Sequence, residues 1–323
     1  RQNTEKTEEA SDAVDVQVEE RTAGEVQIGE QTYPTLAEAF AAAKDGDVLQ
    51  LLENAEVSQP ILLTKNVTLD TNGFTVSAAA GFKGNFMFTN RGTFNIVGSG
   101  KIDGGVGTYP LIMINNSSSA VLNISSGEIS GQGVVQNVGG IVNITGGTLT
   151  ASARNTVLSQ FGEVHIGASA HLMAAGEGKS AVQLIGAKMT LSGDALLSGN
   201  GGIDVFNSNR NEEGTVSAQV EITGGRIETK DFPVSGNNQE SAGAEVAITG
   251  GSLKNISGGT AIYWPMEGQL TIGGNAGIEG GTGIEAKMGT ITIKDNAVIT
   301  GSGEWKEEKP QNGGANPEGS AFL

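Results

Sequence analysis

Carboxylates that could work together as a catalytic pair are scattered in this chain of 323 residues. Glycoside hydrolysis needs two facing carboxyl groups, one acting as an acid and the other as a base or nucleophile. The candidate aspartates stand in different turn-like contexts: Asp103, Asp194, Asp204, Asp231 and Asp295. No Asp-Asp pair and no Asn-Thr-Asp run occurs. The sequence also lacks the acidic cluster beside a basic residue that polysaccharide lysis would need, so it favours a protein that is not an enzyme.

The imidazoles give no better evidence for chemistry. His165 and His171 are the only histidines, and the chain has no cysteine. Two histidines six residues apart, without further ligands, do not have the spacing of a zinc site. We therefore expect neither a metal nor a cofactor.

A row of polar and aromatic residues is the better candidate for a binding site. Each member ends a short segment of similar pattern: Ala181-Val-Gln183, Gly202-Ile-Asp204, Ala261-Ile-Tyr263 and Gly283-Ile-Glu285. Aligning these segments predicts one outward row of Gln183, Asp204, Tyr263 and Glu285, with Trp264 beside Tyr263. Aromatic rings flanked by amides and carboxylates suit stacking on sugars and hydrogen bonding to their hydroxyls. The alternative is that Trp264-Pro265 only packs a corner of the fold.

An internal repeat must position these segments. Ile144-Thr-Gly-Gly-Thr-Leu149, Ile222-Thr-Gly-Gly-Arg-Ile227 and Ile248-Thr-Gly-Gly-Ser-Leu253 are near copies of one motif. Looser copies recur at intervals of 20 to 31 residues, at Leu69, Ile96, Ile124, Ile144, Ile166, Leu191, Ile222, Ile248, Ile272 and Ile293. A short fixed motif at a variable interval favours a β-solenoid, because its turns can lengthen without disturbing its strands.

Each repeat contains three short apolar runs. The first alternates apolar and polar residues, as in Val142-Asn-Ile144, which is the pattern of a strand with one buried face. A tight glycine-rich turn leads to a second strand, and a third run closes the unit. The pattern predicts an all-β fold, a right-handed parallel β-helix with about three strands per coil. A β-propeller is the main rival, but its blades need about 40 residues each. Outward Asn95, Asn123 and Asn143 are predicted to hydrogen-bond to one another along the rod.

The two ends of the chain differ from the repeats. Residues 1–30 carry nine acidic and three basic residues, so we expect a flexible acidic leader before a domain at 31–323. Thr35-Leu-Ala-Glu38 is a capping box that predicts a short helix over 35–44, which would cover the first coil. The last residues, Asn316–Leu323, have the pattern that leads into a third strand. Because the chain then stops without a polar cap, we expect the domain to be truncated at its C-terminus.

Composition limits the compartment and the partners. The net charge is −17, which disfavours nucleic acid because phosphate binding needs a basic surface. No apolar run is long enough to cross a bilayer, so we expect no membrane insertion. A cysteine-free, acidic, Gly-rich solenoid is typical of secreted or cell-surface proteins of bacteria, and we expect a monomer.

Two segments resemble a known superfamily. Tyr33–Leu52 is similar to the opening of pectin-lyase-like right-handed β-helix proteins, and Lys65-Asn-Val-Thr-Leu-Asp-Thr-Asn-Gly73 resembles one of their coils. The Ile-Thr-Gly-Gly units are similar to those of large bacterial surface proteins of the adhesin type. The resemblance covers about residues 33–323 and implies the fold more strongly than any activity, because the superfamily includes lyases, glycosidases, adhesins and glycan-binding modules.

The sequence therefore leads to one functional hypothesis with two alternatives. The leading hypothesis is a non-enzymatic, extracellular module for adhesion or glycan binding, whose partner is a polysaccharide or a host-surface glycan or protein. The first alternative is a carbohydrate-active enzyme, either a polysaccharide lyase or a glycosidase. The second is a passive structural stalk.

Overall fold

The chain forms a parallel β-solenoid of about nine turns, with one short helix near the N-terminus. The computed structural model describes residues 24–105, 111–210, 214–236, 243–304 and 319–323. Each coil contributes one strand to each of three sheets, and neighbouring strands in a sheet come from successive coils. The predicted all-β parallel solenoid with three strands per coil is confirmed.

The strands fall into three long sheets, named here by their order within a coil. The first sheet contains Val26–Ile28, Gln31–Tyr33, Val48–Leu51, Asn66–Asp70, Thr93–Val97, Val121–Ile124, Ile141–Ile144, Glu163–Ile166, Lys188–Leu191, Gln219–Ile222, Ala244–Ile248, Gly268–Ile272 and Thr290–Ile293. The second sheet contains Ala55–Val57, Thr75–Ala78, Lys101–Asp103, Glu128–Gly131, Thr148–Ala151, His171–Ala174, Leu196–Gly199, Arg226–Thr229, Ser252–Asn255, Gly277–Gly280 and Val298–Gly301. The third sheet contains Ile61–Leu63, Phe86–Asn90, Leu111–Asn116, Val135–Val138, Val157–Gln160, Ser180–Ile185, Gly201–Phe206, Val234–Gly236, Thr260–Trp264 and Thr282–Ala286. A small antiparallel hairpin, Ser208–Arg210 with Gly214–Val216, projects between two coils.

The repeat anchors stack on one another inside the coils. Ile144 pairs with Ile124 on one side and Ile166 on the other, and all three side chains are buried. Each buried branched side chain stabilises the fold by about 1.5–3 kcal/mol relative to an exposed one. The core is therefore a set of continuous apolar rows along the rod axis, and each coil is held mainly by its two neighbours.

The glycine pair of the repeat has two separate structural causes. The second glycine of each of the three near-identical motifs, Gly147, Gly225 and Gly251, has a φ of 81°, a conformation that other residues rarely adopt. The first glycine lies against the coil beneath it, because a Cβ on Gly146 would sit 2.3 Å from the Ser125 carbonyl oxygen. The second glycine of the motif is thus required by a left-handed turn, and the first by the close approach of the neighbouring backbone.

The N-terminal helix covers the first coil as predicted, over Leu36–Ala42. Thr35 is its N-cap, and the Thr35 hydroxyl accepts a hydrogen bond from the Glu38 backbone N–H at 3.2 Å. Phe40 packs edge-on against Phe88 and Phe94, with ring centroids 6.0 and 5.9 Å away. Phe40 therefore anchors the helix to the apolar core through aromatic contacts.

The first sheet begins earlier in the chain than the sequence predicted. Val26–Ile28 is a strand that pairs antiparallel with Gln31–Tyr33 and with Val48–Leu51, so residues 24–30 belong to the solenoid. The leader prediction is wrong for these residues because a hairpin can extend the first sheet despite its acidic composition. The rest of the predicted leader, residues 1–23, lies outside the described residues.

The last described residues join the third sheet. The Ile284 backbone N–H donates to the Ala321 carbonyl oxygen at 3.0 Å, and Leu323 N–H donates to the Ile284 carbonyl at 2.8 Å. Of the segment Asn316–Leu323, the structure describes 319–323, where Phe322 forms an isolated parallel bridge with Ile284 of the strand Thr282–Ala286. Within the described ranges, no helix is long and apolar enough to span a membrane.

Candidate functional site

Four of the predicted site residues occupy equivalent positions on strands of the third sheet. Gln183 pairs with Asp204, and Tyr263 pairs with Glu285. Ser235 lies between these two pairs, opposite both Asp204 and Tyr263. Sequence alignment missed Ser235 because its coil enters the strand through Pro233 rather than through the Gly-Ile or Ala-Ile pattern of the others.

Asp204 is the centre of a hydrogen-bonded network on this face. The Ser235 hydroxyl donates to Asp204 Oδ1 at 2.6 Å, and the Asn155 side-chain amide donates to Gln183 Oε1 at 3.0 Å. Burial raises the pKa of the Asp204 carboxyl above its ordinary value, and the charge of Asp231 adds to this, while hydrogen bonds from Ser235, Ser180 and Gln183 oppose it. A largely buried carboxyl on an accessible face is a recognised marker of functional sites.

An aromatic pair stands beside this network. The rings of Tyr263 and Phe232 are stacked, with centroids 5.2 Å apart and planes at 22°. Both side chains are half-buried, so each ring keeps an accessible part. Phe232 lies in the loop before the strand Val234–Gly236 and was missed because no periodic pattern marks that loop. Its only sequence signal is the dipeptide Phe232-Pro233 directly before a third strand.

Two predicted members do not belong to an exposed site. Trp264 is fully buried within the apolar core, so the packing alternative is correct for this residue. Its side chain points inward because it follows the outward Tyr263 in the same strand. Glu285 is also fully buried, and its carboxylate lies 2.6 Å from the Lys287 ammonium. This ion pair compensates the buried charge of Glu285.

The face continues towards the N-terminus as a cavity of about 200 Å³. Its floor includes Gln136, Leu158 and Gln183, which are consecutive partners in the third sheet. One wall comes from the loops that precede two adjacent strands, Val157–Gln160 and Ser180–Ile185. Its side chains are Arg154, Asn155 and Lys179. We call the outward row Gln136, Leu158, Gln183, Asp204, Ser235 and Tyr263 the third-sheet face.

The histidines lie elsewhere and serve local hydrogen bonds. His165 Nδ1 is 2.9 Å from the Thr190 hydroxyl, and His171 Nε2 is 2.8 Å from the Ser198 hydroxyl. Burial lowers the pKa of His171, and nearby Arg226 lowers it further. In the described part of the chain, no three His, Asp or Glu side chains are grouped so that they could hold a metal ion.

The remaining polar rows have structural explanations. The predicted asparagine ladder of the first sheet is confirmed, because the Asn143 amide donates to Asn123 at 2.8 Å and the Asn123 amide donates to Asn95 at 2.7 Å. Among the strand pairs that the structure describes, no acidic residue faces another acidic residue on the adjacent coil. In the second sheet, for example, Lys254 separates Glu228 from Glu279 and lies 2.8 Å from Glu279.

Comparison of the chain with protein-family models, with curated proteins and with solved structures found no significant match. The parallel β-solenoid itself therefore defines the structural class, and the function must be argued from the third-sheet face.

Proposed function

We propose that this chain is a non-enzymatic glycan-binding module of a bacterial cell-surface or secreted protein, of the adhesin type found among pectin-lyase-like β-helices. Its partner would be a polysaccharide or a host-surface glycan or glycoprotein. It would act as an extracellular monomer, without a cofactor and without nucleic acid. The single observation that carries the proposal is the third-sheet face, with the Tyr263–Phe232 stack at one end and the polar cavity at the other.

The chemistry of this face matches what sugars require. A pyranose ring presents an apolar C–H face to an aromatic ring and hydroxyls at its edge. Tyr263 and Phe232 offer the rings, while Gln183 and Asp204 offer amide and carboxylate groups held in place by strand register. The buried Ser235 hydroxyl fixes the Asp204 carboxylate from the next coil. Donors and acceptors already fixed by the sheet lose little side-chain entropy on binding. Weak contacts would reach useful avidity when many copies are displayed on a cell surface.

A screen of immobilised glycans tests this proposal. We expect the wild-type protein to bind a subset of glycans, and Phe232→Ala with Tyr263→Ala to lose that binding because the stacking surface is removed. The control is Phe322→Ala, which deletes a half-exposed ring at the end of the same sheet. Thermal melting of every variant separates lost binding from lost folding. Unchanged binding by the folded double variant would leave a passive stalk as the better account.

A second candidate function, a glycosidase, is favoured by one observation. Asp204 has a raised pKa and is influenced by the charge of a second carboxylate, Asp231, as a catalytic acid would be. Against it, the strand partners of Asp204 on the adjacent coils are Gln183 and Ser235, so neither supplies the second carboxylate that a glycosidase needs. We expect no release of reducing or unsaturated ends from pectin, pectate or neutral glycans, with or without calcium. Release that disappears in Asp204→Asn would establish the enzyme instead.

A further inference from the structure

We infer that the preferred ligand is a saccharide with one anionic group, a carboxylate or a sulfate ester, on an otherwise neutral chain. The anion would occupy the cavity between Arg154 and Lys179. This inference rests on the proposed function, since it names the ligand class of the same face. It also explains how a chain of net charge −17 could take a negatively charged ligand.

Two cations converge on this cavity. Arg154 and Lys179 come from equivalent loops of adjacent coils, directly before strands that pair with each other. Adjacent coils are about 4.8 Å apart, so both side chains can reach one anionic group. Both residues are exposed and line the cavity.

The rest of the lining supports an anion and not a cation. The remaining side chains are the amides of Gln136, Asn155 and Gln183 and the apolar groups of Val134, Val135 and Leu158. Among the residues that the structure describes, none of those lining the cavity is an aspartate or glutamate. Charge-assisted hydrogen bonds from guanidinium and ammonium groups to an oxyanion are about twice as strong as neutral ones, so the anion would dominate recognition at this end.

The neighbouring coils limit the number of anions to one. The next residue of the face after Gln183 is Asp204, and Asp231 lies close enough to raise the Asp204 pKa. A second anionic sugar beyond the cavity would face these carboxylates, and repulsion between like charges is strong near a desolvated surface. A neutral sugar at the same place would instead meet hydrogen-bonding groups and the rings of Tyr263 and Phe232. A polyanion therefore fits this face less well than a chain with one charge.

Glycan arrays with matched families test the inference. Each family contains a neutral oligosaccharide, the same chain with one carboxylated sugar and the same chain with one sulfate ester, and polyuronates of equal length complete the set. We expect singly charged members to bind about tenfold more tightly than their neutral parents. The two charged forms show whether carboxylate or sulfate is preferred.

Variants locate the effect at the cavity. Arg154→Gln with Lys179→Gln should remove the preference for the charged members and leave the binding of the neutral chains. The matched control, Arg91→Gln with Lys188→Gln, removes the same two charges from exposed positions that do not line the cavity and should keep the preference. Equal binding of neutral and charged members, or tightest binding of polyuronates, would overturn this inference alone. Binding of no glycan at all would overturn the proposed function with it.

Discussion

The burial of the Asp204 carboxyl lowers the free energy of unfolding of this protein. Its carboxyl is largely removed from water, and the resulting rise in pKa means that the folded state holds the proton more tightly than the unfolded state does. The free energy of unfolding therefore falls as pH rises from the ordinary carboxyl value of 3.8 through the raised value in the folded protein. Above that raised value the full penalty is present.

The prediction at this scale is that Asp204→Asn stabilises the protein at neutral pH. The asparagine oxygen can still accept from Ser235, but no charge is desolvated. The gain should shrink as the pH falls towards 3.8, because the wild-type carboxyl becomes protonated there. Urea unfolding across this range measures the effect. Asp194→Asn removes a charge from an exposed turn and should show no such pH-dependent gain; a similar gain there would point to net charge as the cause.

Individual residues also mark the limit of prediction from sequence. The alternation of inward and outward side chains predicted the register of Gln183, Asp204 and Tyr263 correctly, because successive side chains of a strand point to opposite faces. It could not show that Glu285 would be buried, with its carboxylate 2.6 Å from the Lys287 ammonium. The same alternation places Trp264 on the inward face, since it directly follows the outward Tyr263. Its prediction as a possible member of the site is therefore wrong.

At the scale of single elements, the cap helix is the most predictable. Its capping threonine, its apolar face and its position before the first strand all follow from local sequence rules. The Lys65 ammonium donates to the Ala43 carbonyl at the C-terminal end of the helix, a contact across 22 residues that no local rule could indicate. Positive charge at this end is favourable because it complements the helix dipole.

Removing the N-cap should weaken this helix measurably. We expect Thr35→Ala to lower the free energy of unfolding by about 1 kcal/mol, because the Glu38 N–H loses its partner. Chemical denaturation gives the value. Thr64→Ala, at an exposed position outside the helix, should cost much less. Equal losses in both variants would mean that the cap contact contributes nothing.

The strands of the first sheet were also predictable, and Ile222 is the sharpest test of them. Its side chain is buried between Leu191 and Ile248 of the adjacent coils. Ile222→Asp places an uncompensated charge in the core, so we expect a loss of about 4 kcal/mol or more in unfolding free energy, or failure to fold. Glu221→Asp introduces the same residue on the neighbouring outward side and should be nearly neutral. A stable Ile222→Asp variant would refute the inward packing.

A second ladder, a row of buried polar side chains in the third sheet, was not predicted from the sequence. Asn90 donates to Asn115, Asn115 donates to Asn137, and Asn137 donates to the Ser159 hydroxyl, over distances of 2.8 to 3.0 Å. All four side chains are buried. Their amides also bond the carbonyls of the corner that follows, such as Ala120. Buried asparagines break the hydrophobic period, and only the stacked coils show how their polar groups are satisfied.

At the scale of the whole molecule, the repeat determined how much could be predicted. Three recurring apolar runs and left-handed glycines such as Gly147 indicate the solenoid, because every coil packs its apolar side chains against its neighbours in the same way. The third-sheet face, for which we propose a binding role, depends instead on loops that differ between coils, such as those bearing Arg154, Lys179 and Phe232. Nothing in a repeat specifies the residues at which its members differ, so the cavity and the aromatic stack became visible only in three dimensions.

The stacking of coils has a mechanical consequence. The hydrogen bonds between coils run along the axis of the rod, because each strand pairs with strands of the coils above and below it. Tension applied between the two ends therefore loads these bonds along their length and opens one coil after another, as a zipper opens. A coil of 20 to 31 residues would release about 70–110 Å of slack chain. We expect pulling of a single molecule in an optical trap to give a series of low-force steps of this size, in contrast to one cooperative rupture. A protein that yields in this way would lengthen under shear flow while its remaining coils stay folded.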